Sequence, residues 1–387
     1  MSVAGRPLDV FVVAGEESGD QLGGALMEGL VRLASEGVRF RGIGGRRMAA
    51  SGLQSLYPMD DVTAIGFGQV FAKLPLILRR LSETVDAIVA ARPDVLILVD
   101  APDFTHRVAA RVRRKLPDIP IVKYVSPTVW AWRPGRAKAM RPHIDLLLAL
   151  LPFEPEVHAR LGGPKTLYVG HPLLERLDEL RPNATERARR AARPSRVLIL
   201  PGSRRSEIER LAEVFGQAVG LVAAGREVEF VLPTLPHRLE QVEAAVRHWP
   251  VRPRMVVSEA EKYAAFRTAR AALAASGTVT LELALAGVPT VAAYKVAWWE
   301  AQIAPHVLTI PSVLLPNLIL GENAMTEFLQ HDCTAEKLAS ALDALLIDGP
   351  ERRAQITAFE RLDGIFGIGG QPPSLRAASA VLELLSR

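Results

Sequence analysis

The feature that most constrains the fold is a repeated alternation. Short runs rich in Val, Ile and Leu end in Gly, Pro, Ser or Asp, and each leads into a longer stretch with helical spacing. The runs in the first half are DVFVVAG, VRFRGIGG, DVLILVDAPD, IVKYVSP, DLLLALLPFE and TLYVGHP, and those in the second are RVLILPGS, EFVLPTLP, RMVVSE, AALAASG and TVAAYK. Strands that are apolar on both faces and separated by helices belong to parallel sheets covered on both sides. A chain of 387 residues has room for two such domains. The expected fold class is therefore α/β: two tandem doubly wound Rossmann-like domains facing a cleft, closed by C-terminal helices. The boundaries read as 1–176 for the first domain, a polar, proline-marked linker at 177–196, 197–349 for the second domain and a helical segment at 350–387.

The chain is 49% hydrophobic and 23% charged, as expected of a globular protein rather than a disordered one. A single cysteine, Cys333, excludes an internal disulfide and a cysteine metal cage and fits a reducing compartment. LDVFVVAG is short for a signal core and runs straight into a glycine turn, so it reads as a first strand and the expected location is cytoplasmic. VLTIPSVLLPNLILG is broken twice by proline, which leaves membrane contact peripheral. Residues 1–190 hold 27 Lys and Arg against 21 Asp and Glu, and His106–Arg141 holds ten against one. Such a stretch suits anionic headgroups or phosphorylated ligands, or is a solvated face.

Open α/β sheets bind ligands at the C-terminal ends of their strands, so the chemistry is sought there. In PGSRRSEIERL, Ser206 and Glu209 fit a capping box, which leaves Gly202, Ser203, Arg204 and Arg205 in the loop. Glycine permits close approach, a helix start supplies N–H groups and arginine binds phosphate bidentately, with Arg204 the preferred contact. In AASGTVTLELALAG, Ser276, Gly277 and Thr278 offer donors to a second phosphate oxygen. Glu282 in the following helix can accept from two ribose hydroxyls, or simply complement the helix dipole. Together the loops describe a nucleotide diphosphate site. No Walker lysine, D-x-D pair or histidine cluster occurs in the sequence, so neither a metal nor a cofactor is expected.

In the first half, Asp100 and Asp103 follow a strand that is otherwise fully apolar. Asp100, nearer the sheet, is the candidate general base, the alternative being a turn aspartate. Trp130 and Trp132 lie among Arg133, Arg136 and Lys138 and fit sugar stacking, an interface or core; no nucleic-acid partner is expected. His171 follows the last strand of this half, as a ligand contact or a structural histidine. The apolar positions from Phe67 to Leu81 have the spacing of an interfacial or a core helix. VAGEESGDQLGG has the glycines of a phosphate cradle, but Glu16, Glu17 and Asp20 would repel phosphate. Ser18 with Gln21 fits a capping box and Asp20 complements the helix dipole, while Glu16 has no structural explanation. The loop is expected to hydrogen-bond sugar hydroxyls, with Glu16 and Ser18 as its contacts.

AGEESGD, DAPDF, YVSPTVWAWR, LPFE, VGHP, LPGSR, ASGTVTLE and PNLIL occur in an order and spacing that resembles the lipid-A-disaccharide synthases, glycosyltransferases of the GT-B fold. The resemblance covers nearly the whole chain. It implies transfer of 2,3-diacylglucosamine from UDP to the 6-hydroxyl of 2,3-diacylglucosamine 1-phosphate, with inversion and without a metal. It also implies a peripheral enzyme on the cytoplasmic face of the inner membrane, in contact with anionic lipid. By this resemblance Asp100 falls on an essential aspartate, Arg204 on an essential arginine, and Glu282 and Asn317 on nucleotide-binding positions. It favours a lipid-facing role for the Phe67–Leu81 stripe. Glu17, where a small residue is more usual, and the lead-in to MTEFLQ depart from the family pattern. The alternatives are a UDP-sugar epimerase or hydrolase, marked by turnover without acceptor, and a non-enzymatic lipid-binding or interaction protein, marked by failure to bind UDP.

Overall fold

The computed structural model describes residues 5–63, 67–298, 300, 302 and 310–386, with 67–73 described by backbone alone. The chain divides into two compact units, Met1–Leu174 with Gly369–Arg387, and Glu175–Ile368.

The first unit is built on a seven-stranded sheet. Its strands are β1 (Leu8–Ala14), β2 (Val38–Ile43), β3 (Gln54–Ser55), β4 (Val95–Val99), β5 (Ile121–Tyr124), β6 (Leu146–Ala149) and β7 (Thr166–Tyr168), in the order β3-β2-β1-β4-β5-β6-β7. Every pairing is parallel, with Val12 opposite Ile97 at the centre. Both faces are apolar because the period-2 alternation carries hydrophobic residues on each side. Val95, Ile97 and Val99 enter one core with Leu22, Leu26 and Leu30 of the helix Glu17–Leu33. Leu96 and Leu98 enter the other, with Val85 and Ile88 of the helix Phe67–Ala91 and Val108 of the helix Pro102–Lys115.

The second unit repeats the plan with β8 (Ser195–Leu200), β9 (Val228–Pro233), β10 (Arg254–Val256), β11 (Ala271–Ala275), β12 (Thr290–Tyr294) and β13 (Thr326–Leu329). The order is β10-β9-β8-β11-β12-β13, again all parallel. Val197, Ile199, Leu273 and Val291 pack against Phe215 of the helix Arg205–Gly225 and Leu338 and Leu342 of the helix Ala335–Leu346. Cys333 is buried in this core.

Two boundaries differ from the sequence reading. The stretch expected as a linker folds into the helices Leu177–Leu180 and Ala184–Ala191, the latter capped by reciprocal bonds between Asn183 and Glu186. Arg190 there donates to the carbonyls of Phe266, Arg267, Ala286 and Gly287, where two helices of the second unit end. Charge that looks solvated in the sequence thus satisfies helix C-termini. The expected segment 350–387 also divides. The helix Pro350–Phe366 belongs to the second unit and ends at Gly367, with φ at 66° in the left-handed region. The helix Pro373–Leu385 belongs to the first unit, where Ala377, Ala378 and Val381 complete its core. Its partner helix approaches closely at Gly29, where an added Cβ would lie 3.0 Å from the Ser374 carbonyl oxygen.

The helix Phe67–Ala91 answers part of the stripe question. The side chains of residues 67–73 lie outside those described. Leu81 is buried, while Leu74 and Leu78 are 38% and 42% exposed. No helix among the described residues is long and apolar enough to cross a membrane.

Candidate functional site

Each sheet has one point where the chain leaves a strand in one direction and returns on its other side: between β1 and β4 in the first unit, and between β8 and β11 in the second. The loops leaving such strands form the ligand-binding crevice of a doubly wound sheet. They are the four loops in which the sequence concentrates its polar motifs.

In the first unit, Gly15 and Glu16 leave β1, and Asp100 and Ala101 leave β4. The loops touch closely, since a Cβ on Gly15 would come within 2.7 Å of the Ala101 Cβ. Asp100 and Ala101 both adopt left-handed backbone, with φ of 48° and 41°, before the helix Pro102–Lys115 starts. This conformation is strained for side chains other than glycine and turns the Asp100 side chain out of the strand's course. Ser18 Oγ donates to the Asp100 carboxylate at 2.9 Å. The Thr105 hydroxyl donates to the Asp100 carbonyl at 2.8 Å. Lys123 Nζ donates to that same carbonyl, and to Thr105 Oγ1 at 3.1 Å. The Glu16 carboxyl is pushed above the ordinary carboxylate range by partial desolvation and by the Asp100 charge, against the pull of Lys123.

The expected capping box at Ser18 is not formed. The helix starts at Glu17 with Glu16 as N-cap, so Ser18 sits inside the first turn and reaches Asp100 instead. Asp20 does more than complement its own helix. It is buried and accepts the backbone N–H groups of Gly45, Arg47 and Met48, capping the helix Arg46–Ala50.

Farther along the same unit, Asp103 pairs with Arg136 at 2.6 Å. Arg133 and Arg136 lie over the Trp132 ring at 4.3 and 5.6 Å, and the Trp132 indole donates to Thr128. Trp130 is a structural neighbour of this group, edge-on to Phe153 and donating to the buried Glu154. Burial raises the Glu154 carboxyl to about 7, against hydrogen bonds from Leu151 and Trp130. His171 is buried, its Nδ1 accepts the Leu173 N–H, and desolvation lowers its pKa to about 4. It is a neutral histidine bonded to its own turn.

In the second unit a cavity of about 670 Å³ is lined by Gly202, Ser203 and Arg204 after β8 and by Ser276, Gly277 and Thr278 after β11, with Lys262 and Glu282 on its wall. The first N–H groups of the helices Arg205–Gly225 and Thr278–Leu285 lack intrahelical partners by geometry and open at these loops. Ser276 Oγ already donates to the Val313 carbonyl. Glu282 pairs with Lys262 at 2.5 Å. Arg204, with its side chain 76% exposed, reaches Glu207 at 3.2 Å.

The capping box expected at Ser206 and Glu209 is likewise displaced. The helix begins at Arg205, Glu207 accepts the N–H groups of Ser203 and Arg204 at 3.0 and 3.1 Å, and Glu209 pairs with Arg205. Gly202, at φ of 115°, is required here, since an added Cβ would lie 2.5 Å from Glu207 Cβ. Asn317 is not among the residues lining this cavity. It is 2% exposed, its amide brackets both backbone groups of Met325 and donates to Ser312. Among the described residues no group of three or more His, Cys, Asp or Glu is placed to hold a metal ion.

Three residues here were not singled out in the sequence: Lys123, Glu207 and Lys262. A lysine within the apolar run IVKYV was a usable signal, because a strand position covered on both faces should not carry a charge without a partner.

The model of the family described as lipid-A-disaccharide synthetase matches residues 10–363. The chain is 56% identical over 377 residues to the lipid-A-disaccharide synthase of Nitrobacter hamburgensis, covering 97% of this chain and 95% of that protein. Two solved structures share the fold at low identity. One is the UDP-GlcNAc 2-epimerase of Neisseria meningitidis bound to UDP-GlcNAc, with TM-score 0.60 and 12% identity over 98% of this chain and 100% of that one. The other is Acinetobacter baumannii MurG, with TM-score 0.56 and 16% identity over 98% of this chain and 99% of that one.

Proposed function

The chain belongs to the lipid-A-disaccharide synthetase family and is a glycosyltransferase of lipid A synthesis; on that premise we propose that it moves 2,3-diacylglucosamine from UDP to 2,3-diacylglucosamine 1-phosphate, forming the β-1,6 disaccharide 1-phosphate and UDP. Asp100 takes the proton of the acceptor 6-hydroxyl as that oxygen attacks the anomeric carbon. The bond from that carbon to the β-phosphate oxygen breaks with inversion, and the electron pair leaves on UDP. Arg204 receives the charge that develops on the diphosphate, assisted by the helix starts after Arg204 and Gly277. Glu282 holds the ribose hydroxyls, exchanging Lys262 for them. Glu16 and Ser18 order the acceptor sugar beside Asp100, and Asp103 and Trp132 extend that surface. Asn317 contributes by holding the Leu314–Met325 loop, and His171 by fixing the turn after β7. The exposed Leu74 and Leu78 and the basic stretch of the first unit serve peripheral contact with anionic lipid on the cytoplasmic face of the inner membrane.

The observation that carries this reading is Asp100 itself: a carboxylate at the switch point of its sheet, turned by two left-handed residues and oriented by Ser18. In detergent micelles with purified substrates, D100N is expected to lower kcat about 10²- to 10⁴-fold, with UDP release dependent on acceptor. Near-normal turnover by D100N removes the base assignment. UDP-sugar consumption without acceptor removes the transferase reading in favour of an epimerase or hydrolase.

A further inference from the structure

We infer that Lys123 is a positioning residue for the transfer: its ammonium, sealed beneath the turn that carries Asp100, fixes that turn and sets a cation under the Asp100 and Glu16 side chains. The inference rests on the assignment of Asp100 as the base.

Lys123 lies on β5 with 0% exposure, at a position that a Leu or Met would fill without electrostatic cost. Its Nζ is directed to the Asp100 carbonyl and to Thr105 Oγ1, and Thr105 itself donates to the Asp100 and Ala101 carbonyls. The two strained residues are thus held at their carbonyls, and Asp100 N–H is held by the Tyr124 carbonyl at 3.0 Å, one residue beyond Lys123 on the same strand.

The charges around the ammonium point the same way. Asp100 from the loop after β4 and Glu16 from the loop after β1 both favour its protonated form. On the helix Pro102–Lys115, His106 is held neutral, pushed down to about 3 by burial and then by Lys123 and Arg136, so it adds no second cation. Asp103 on that helix is committed to Arg136. Burial brings the Lys123 amine down to about 7. Its charge, and with it the support of the carboxylates, is therefore present at low pH and lost as pH rises.

This sets Lys123 apart from a residue that only fills space, because the effect of removing it depends on pH. In the micellar assay, K123M is expected to show kcat about 10- to 100-fold below wild type near about pH 6, with both KM values within about threefold, and the ratio narrowing towards about pH 9. K123Q keeps an N–H donor without the charge and is expected to follow K123M. A wild-type kcat in either variant, or a loss that is constant with pH, overturns the inference. Absence of transfer by the wild-type protein overturns the proposed function instead. Unfolding of wild type and K123M over the same range needs no turnover: a stability difference that changes with pH supports the buried ammonium, and parallel curves overturn it.

Discussion

The buried lysine makes a stability prediction that runs opposite to its value for turnover. An ordinary lysine titrates near 10.5, and Lys123 is lowered to about 7, with desolvation the largest cause. Between these values the unfolded chain binds more protons than the folded one, so stability rises with pH across that window. Below about pH 7 the full penalty of burying the ammonium is present, and above about 10.5 it is gone. At about 1.4 kcal/mol per unit of pKa, the pH-dependent penalty is on the order of 5 kcal/mol. K123M removes the penalty and forfeits two donations, one to the Asp100 carbonyl, which keeps Thr105 Oγ1, and one to Thr105 Oγ1 itself, and so loses about 1–2 kcal/mol. K123M is therefore expected to be more stable than wild type by about 2–4 kcal/mol near pH 6, as when buried charges are replaced by apolar groups, with the advantage fading as pH approaches 10. Two units need not unfold as one, so the readout is hydrogen exchange of the β4 and β5 amides in urea, residue by residue. If the protection of these amides changes with pH identically in wild type and K123M, Lys123 carries no buried charge and the reasoning fails.

Two further substitutions separate contact from support. N317A strands both backbone groups of Met325 in a buried loop and is expected to cost about 2–4 kcal/mol in urea unfolding, while UDP affinity of the folded protein changes less than about fivefold; a large affinity loss at unchanged stability would give Asn317 the direct nucleotide contact that the family resemblance implies. R204K keeps the charge and gives up the bidentate fork, so calorimetry is expected to show UDP binding about tenfold weaker at unchanged melting temperature, because the side chain is largely exposed. Equal UDP affinity in R204K would remove Arg204 from the diphosphate site.

Much of the architecture was legible because it rests on short-range pattern. All eleven apolar runs contain strands, and their double-sided hydrophobicity announced sheets covered on both faces. The two strands without such a run are the short edge strand Gln54–Ser55, which is exposed, and Thr326–Leu329, which is only partly buried, so neither carries a full apolar pattern. The S-x-x-Q and S-x-x-E matches place the helix starts two residues late at Ser18 and Ser206: Glu207 caps the second helix from within its own first turn, while Ser18 is drawn into a tertiary bond. Asp20 serves a helix more than twenty residues away, and Ser18 serves a different strand's loop. The helix Pro373–Leu385 could not be placed by its pattern, because amphipathic spacing shows that a face is buried but not against which core.

The two glycine loops, so alike in sequence, are resolved by where their acids point. Glu207 occupies the N–H groups of Ser203 and Arg204, the groups a phosphate would otherwise claim, and it is buried there with the Arg204 guanidinium at its other oxygen. An incoming diphosphate therefore meets the exposed Arg204 side chain before it meets those backbone donors. The N–H groups after Gly277 lie on the same cavity and, among the described residues, that helix start has no side-chain cap bond. The proposed donor site thus rests on an arginine set in place by its own glutamate, which is why the side chain of Arg204, more than the glycine loop, carries the proposed phosphate contact. In the first unit the arrangement is inverted. Asp20 turns away to cap another helix, Glu16 stays at the loop without a side-chain cap bond, and the anion that remains there is supported from below by Lys123. A loop that holds carboxylates over a buried ammonium is suited to accept protons and hydroxyl groups, and unsuited to a phosphate.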